Sequence, residues 1–276
     1  MFINWLVEPL RYAFMVRGML AAILVGVVCA IVGTYIVLRG MAFFGDALAH
    51  TVLPGIAIGY LIHGSERQAL FWWALGTSIV ASLGIGVITK KGKIKEDTAI
   101  GIIFAGMFAL GIAIISTVQG YAVDLSHFLF GDVLGISAQN LIWIAGFGVL
   151  VMIVIVAFYK EFMTISFDPV LALTLRLPVT RLNNLLLVLI AVSVAVAMQM
   201  VGVALMVAML VTPAATAYLL TKRLPTMMVI SAMIAAISGV VGLYASYYLG
   251  IASGAAIVLC ATLLFAITYI IQRKSH

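Results

Sequence analysis

Charge is what this chain has least of. Only 9% of its 276 residues are Asp, Glu, Lys or Arg, against 65% hydrophobic residues, and the mean hydropathy is +1.28. That balance excludes a soluble domain and leaves too little polar sequence for a separate one, so residues 1–276 are expected to form a single integral membrane domain. The apolar runs lack period-two alternation, which excludes a membrane β-barrel and leaves an all-α polytopic protein. No Gly-x-x-x-x-Gly-Lys-Ser/Thr loop occurs, so the chain is not expected to hydrolyse ATP. His-Glu-x-x-His is missing, as is any convincing Ser/His or Asp/Asp set, which tells against an intramembrane enzyme. Cysteine is scarce, and Cys29 and Cys260 both lie inside apolar runs, as core or lipid-facing thiols do. Met1–Arg17 lacks the charged-then-apolar order and small-residue cleavage site of a signal peptide. The net charge of +6 sits in short loops and is no nucleic-acid footprint.

What is there is a series of apolar segments. Met1–Arg17 mixes aromatics with Glu8, Arg11 and Arg17 around Pro9, a pattern that predicts an interfacial amphipathic helix. Spans are expected at Gly18–Leu38, Met41–Ile62, Ala69–Thr89, Thr98–Thr117, Leu141–Tyr159, Leu185–Met200, Val203–Leu220, Thr226–Leu249 and Ala255–Ile271. That makes about nine, within a range of eight to ten. Gln119–Ser137 is broken by polar residues and reads as interfacial. Pro54 and Pro213 predict kinks or broken helices within spans. Gly55, Gly59, Gly101, Ala105 and Gly106 are small enough to let helices approach closely.

The Lys and Arg residues orient the chain. With the N-terminus outside and nine alternating spans, twelve of the fifteen fall on the cytoplasmic side, and only Arg11, Arg17 and Arg67 fall outside. That bias places the loop around Asp168–Arg181 and the C-terminus in the cytoplasm.

Within the second span, Asp46 and His50 stand four residues apart, one helical turn and one face. An ionisable residue in hydrocarbon costs roughly 2.5–3.5 kcal/mol on insertion scales, so it usually marks a pathway or a site. Carboxylate oxygen with imidazole nitrogen, and no cysteine nearby, suits Mn²⁺, Fe²⁺ or Zn²⁺. The structural alternative is an Asp–His hydrogen bond inside a bundle. Two ligands are too few to hold an ion tightly. A second copy of the chain or water would complete the shell, as a transit site that must also release its ion requires. If the helix runs unbroken from Arg39, Asp46 lies about 10 Å along it.

The stretch Ser166–Pro178 has a second organised pattern. Asp168 is an N-cap candidate, Pro169 suits the first helical position and Pro178 is a stop, which predicts a short, mixed-face cytoplasmic helix. It reads either as a membrane-surface connector or as a coupling helix docking into a groove on a soluble motor subunit.

Together these segments resemble one family. Arg39-Gly-Met-Ala-Phe-Phe-Gly-Asp-Ala-Leu-Ala-His-Thr-Val-Leu-Pro-Gly55 is similar to the second-span signature of the metal-ion permeases of ABC transporters, importers of manganese, zinc and iron. Glu96–Phe104, Leu129–Asp132, Phe167–Pro169 and Leu210–Ala217 resemble the same pattern in the same order. The resemblance implies a homodimeric permease in a prokaryotic cell membrane, with cytoplasmic ATP-binding subunits and an extracytoplasmic metal-binding protein as partners. It implies a metal role for Asp46 and His50 and a coupling role for Phe167, Asp168, Pro169, Leu173, Arg176 and Leu177. No permanently bound cofactor is implied, only the transported ion, with Mn²⁺ preferred over Zn²⁺ or Fe²⁺ because thiolates are absent. Asp124, His127 and Asp132 are weaker candidates for guiding a cation; helix caps and solvated loop residues look the same in sequence. Glu96 and Asp97 read as favourable charges at a helix start, and Met198, Met200, Met206 and Met209 as packing. The rival functions are a proton-coupled secondary cation transporter and a permease for a chelated metal, whose wide path would lack paired ligands.

Overall fold

The computed structural model describes residues 7–64, 66–90, 94–117 and 133–275. Every regular element among them is helical, the expected outcome for apolar segments that must satisfy their own backbone amides in lipid. A 3-10 turn at Pro9–Arg11 precedes twelve helices. These are α1 (Ala13–Leu38), α2 (Phe44–Thr51), α3 (Leu53–His63), α4 (Arg67–Thr89), α5 (Glu96–Ser116) and α6 (Ala138–Ala157), followed by α7 (Tyr159–Phe167), α8 (Pro169–Thr174), α9 (Val179–Val201), α10 (Val203–Leu220), α11 (Leu224–Leu249) and α12 (Ser253–Ser275). With α2 and α3 counted as one segment, nine of the described stretches are long and apolar enough to cross a membrane.

Two boundaries differ from expectation for identifiable reasons. The described residues begin at Val7, so most of the expected interfacial helix before Pro9 lies outside them; after the Pro9 turn the first spanning helix starts at Ala13. Arg17 does not end it, because its side chain snorkels and donates from Nε to the Ala13 carbonyl at 3.2 Å. The sixth span begins at Val179 rather than Leu185, since Arg181, Asn183 and Asn184 are carried within its first turns.

The helices gather into two units. The first holds α1, most of α6, α10, α11 and α12, with α10, α11 and α12 packed on one another. Helix α1 is buried over most of its length, and its small residues are the reason. Gly33 lies against the Leu210 carbonyl of α10 so closely that a Cβ added there would stand 2.9 Å from the Leu210 carbonyl carbon. Ser231 of α11 donates to the Ala30 carbonyl at 3.3 Å, which satisfies a fully buried hydroxyl. Gly33→Ala is therefore expected to push α1 off α10 and cost about 1–3 kcal/mol, the usual range for overpacking. Thermal unfolding of the detergent-solubilised protein measures this, with Gly106→Ala, at an open helical position, as a control expected to keep or slightly raise the melting temperature.

That control rests on a correction. A Cβ at Gly55 would collide with Thr77 and Trp73, and one at Gly59 would come within 2.9 Å of Trp73, so both serve close packing as expected. Gly101 and Gly106 have no atom within 4 Å of an added Cβ, and Ala105 is exposed. Among the described residues no helix packs closely on these three positions of α5. Proline also divides two ways. The chain breaks at Val52, before Pro54, whereas Pro213 sits within an uninterrupted α10. There the missing amide costs only the Met209 carbonyl's bond.

The second unit comprises α2 to α5, α7, α8 and most of α9. Within it, α2 and α3 both pack on α4 and α5, and α7 packs on α8. The fully buried Ser78 of α4 donates to the Ala191 carbonyl of α9 at 3.4 Å. The candidate site lies in this unit.

Candidate functional site

Pro54 determines where the second span breaks. It has no amide to give to the carbonyl four residues back, and its ring crowds that carbonyl. The residue four back is His50. The His50 carbonyl accepts from the Val52 amide instead, α2 ends at Thr51 and α3 begins at Leu53. His50 therefore stands in the last turn of a two-turn helix, with Asp46 in its first turn.

The segment is also interrupted at its start. Residues between Arg39 and Phe44 form a turn, with Gly40 at φ +69° and the Phe44 amide on the Met41 carbonyl at 2.9 Å. The helix therefore does not run unbroken from Arg39, and from its actual start at Phe44 the rise to Asp46 is only about 3 Å. Asp46 belongs to the beginning of the helical segment, not to its middle.

His50 Nε2 lies 3.9 Å from Asp46 Oδ1, and the two side chains are 31% and 37% exposed. A hydrogen bond would need them closer. A transition-metal ion holds such donors at about 2.0–2.2 Å, which sets them roughly 2.8–3.6 Å apart in one shell. A small side-chain rotation closes the remaining gap. Both groups are open enough to receive an ion and close enough to share one. Among the described residues no third His, Cys, Asp or Glu joins them. Asp124, His127 and Asp132 lie outside the described residues.

The imidazole is walled by rings that the spacing of Asp46 and His50 does not reveal. Phe104 and Phe108 of α5 meet His50 edge-to-face, with centroids 5.8 and 5.6 Å away, and Phe43 meets Phe104 at 5.7 Å. Edge-to-face pairing is the favoured aromatic geometry, so these rings orient the imidazole. A signal was present: Phe104 and Phe108 are four apart on one helix face, but only tertiary contact shows what they face.

The same helix anchors the turn before α2. Glu96, the first residue of α5, accepts from Arg39 Nη2 in an ion pair. Burial lowers the Arg39 pKa from its ordinary value, and the charge and hydrogen bond of Glu96 oppose that shift. Its place at a helix start accounts for Glu96 by the dipole alone; its partner is 57 residues away in the chain.

The predicted coupling segment forms as a capped helix. Asp168 Oδ1 accepts from the Leu171 amide at 2.9 Å, and Pro169 occupies the first turn. Its C-terminal stop is not Pro178. The Leu177 amide reaches the Ala172 carbonyl and the Arg176 amide the Leu173 carbonyl, both at 3.0 Å, the paired bonds of a Schellman ending. Arg176 takes the left-handed position at φ 55°, where glycine is the usual residue and another residue costs roughly 1–2 kcal/mol. Ala172 is buried, while Phe167, Val170, Leu171, Leu173 and Leu175 are exposed. Exposed apolar side chains clustered on one short helix are the mark of an interaction surface.

Relatives agree with this geometry over nearly the whole chain. The manganese transport system membrane protein MntC of Halalkalibacterium halodurans is 44% identical over 97% of this chain and 90% of its own length. The manganese import system permease protein ScaB of Streptococcus gordonii is 40% identical over 96% of this chain and 94% of its own. Among solved structures, PsaBC from Streptococcus pneumoniae in complex with Fab superposes with a TM-score of 0.81 at 36% identity, covering 98% of this chain and 95% of that one. A metal-chelate type ABC transporter in an inward-facing conformation shares the fold, with a TM-score of 0.70 at 16% identity over 93% of this chain and 85% of that one. The sequence pattern of the ABC 3 transport family matches residues 11–272, and the chain belongs to that family.

Proposed function

We propose that this protein is the permease subunit of an ABC importer that carries a divalent transition-metal ion, Mn²⁺ by preference, into a prokaryotic cell. It is a multi-pass membrane protein of the cell membrane, as its nine apolar helical segments and its relatives indicate. The half-open Asp46–His50 pair carries the reading. It offers one oxygen and one nitrogen donor to an ion in a chain otherwise almost free of charge. Two donors suit transit rather than storage, and a second copy of the chain or water supplies the rest of the shell. Manganese is favoured by the donor chemistry and by relatives named for manganese transport at 38–44% identity.

ATP hydrolysis belongs to separate cytoplasmic subunits, which dock on the exposed face of α8, and an extracytoplasmic binding protein delivers the ion. A competition assay tests the cargo: cells expressing the full transporter take up radiolabelled Mn²⁺ in the presence of unlabelled Mn²⁺, Zn²⁺ or Fe²⁺. Unlabelled Mn²⁺ is expected to compete at the lowest concentration; if Zn²⁺ or Fe²⁺ does so instead, the preference is wrong. Uptake that persists after the ATP-binding subunit is inactivated, yet collapses with the proton gradient, would replace the importer reading with a secondary transporter.

A further inference from the structure

The second unit holds a cavity of about 360 Å³ that the metal path does not use. Its charged residues are Arg39, Lys90, Lys95 and Glu96, three cations against one anion. Glu96 is already engaged by Arg39 Nη2, and among the described residues Arg39 Nη1 has no partner and no acid pairs with Lys90 or Lys95, which leaves two lysine charges and a spare guanidinium donor. The cavity is bounded by the last residue of α4, Thr89, and by the first residues of α5 and α9, Glu96 and Val179. The N-terminal ends of two long helices add partial positive charge there. Ile94, Ile165, Pro169 and Val179 add apolar surface to the lining, and Thr89, Thr180 and Asn183 add neutral polar groups.

From this arrangement we infer that the cavity is a phosphate-group site for the headgroup of an anionic phospholipid of the cytoplasmic leaflet. Depth and composition both favour a lipid. The cavity is level with the ends of three membrane-spanning helices, where headgroups lie, and on the side that the lysine and arginine distribution makes cytoplasmic. Basic pockets between helices at that level are the usual receptors for anionic headgroups. The isoleucines and Val179 provide for an acyl chain what a free phosphate would not need. This inference concerns the membrane around the permease and is independent of which ion the permease carries.

The test uses the permease with its ATP-binding subunits in phosphatidylcholine nanodiscs doped with spin-labelled phosphatidylglycerol. The immobilised fraction is read by electron paramagnetic resonance. The exposed pair Lys90→Gln/Lys95→Gln is expected to weaken immobilisation about 30-fold, the effect of two lysines at the attraction typical of anionic lipid. Removing equal charge elsewhere, by Lys222→Gln/Arg223→Gln, should leave it unchanged, and spin-labelled phosphatidylcholine should not respond to either variant. Equal loss in both variants would reduce the effect to general surface attraction and overturn the site. Displacement by millimolar glycerol 1-phosphate as effective as that by phosphatidylglycerol would retain a phosphate site but overturn the lipid. If phosphatidylglycerol is not immobilised, yet Lys90→Gln/Lys95→Gln releases the ATP-binding subunit, the cavity takes an acidic side chain of that subunit and the lipid assignment falls.

Discussion

Asp46→Asn and His50→Ala are each expected to lower uptake of radiolabelled Mn²⁺ to the background of cells lacking the permease. Losing a group that merely orients a metal ligand costs about 10–100-fold, and here the ligand itself is lost from a set of two. Nothing nearby replaces it, because no third His, Cys, Asp or Glu approaches the pair among the described residues. Asp46→Asn is the sharper variant. It keeps the shape of a half-exposed side chain in the first turn of α2 and removes only the charge and one oxygen's basicity. His50→Ala also empties the space against Phe104 and Phe108, so it tests position and ligation together. Permease abundance in the membrane and co-purification with the ATP-binding subunit should remain at wild-type level in both. Undiminished Mn²⁺ accumulation in Asp46→Asn would sink the assignment of the site.

Hydropathy alone placed the spans, because a backbone in lipid has so few alternatives. Val203–Leu220 was expected to the residue, and the break near Pro54 follows from one missing amide. What depends on local chemistry was legible; what depends on contacts between distant segments was not. Asp168 could be named as a cap from its place before Pro169. Glu96 could not be named as the partner of Arg39, since a dipole-stabilising acid and an ion-paired acid look identical at a helix start. Gly101 and Gly59 are both small residues on apolar helices, yet only Gly59 faces a neighbour. The site itself divided along the same line. Asp46 and His50 are local to one helix, so their proximity follows from spacing, whereas Phe104 and Phe108 reach His50 only after α5 folds back on α2. Helix α5 thereby does two things that its sequence does not advertise. It pins the turn before α2 through Glu96 and orients the imidazole at the end of α2 through its phenyl rings.

Leu173→Asp is expected to disconnect the permease from its ATP-binding subunits while leaving its own fold intact. Leu173 is 65% exposed and Val170 70%, so neither contributes much to the packing of α8. That packing rests on Ala172, which is fully buried, on the Asp168 cap and on the bonds around Arg176. A helix so firmly ended, yet only six residues long, is stiff at both termini and apolar on its outer side. If a partner docks there, such an element would transmit its push without unwinding. Left without a partner, its exposed leucines and valine would only cost solubility, which makes an apolar groove on the ATP-binding subunit their natural cover. An aspartate placed among them would bury an unpaired carboxylate in that groove, a penalty on the scale of an interface hot spot, about 2–4 kcal/mol. At roughly 1.4 kcal/mol per factor of ten, this weakens subunit association by about 30-fold to nearly 1,000-fold. Co-purification of tagged permease with the ATP-binding subunit measures the association, and Mn²⁺ uptake measures its consequence. Normal co-purification with normal uptake would show that α8 is a surface connector. Retained association with lost uptake would instead place Leu173 in the transmission of motion, with binding carried by other parts of the cytoplasmic face.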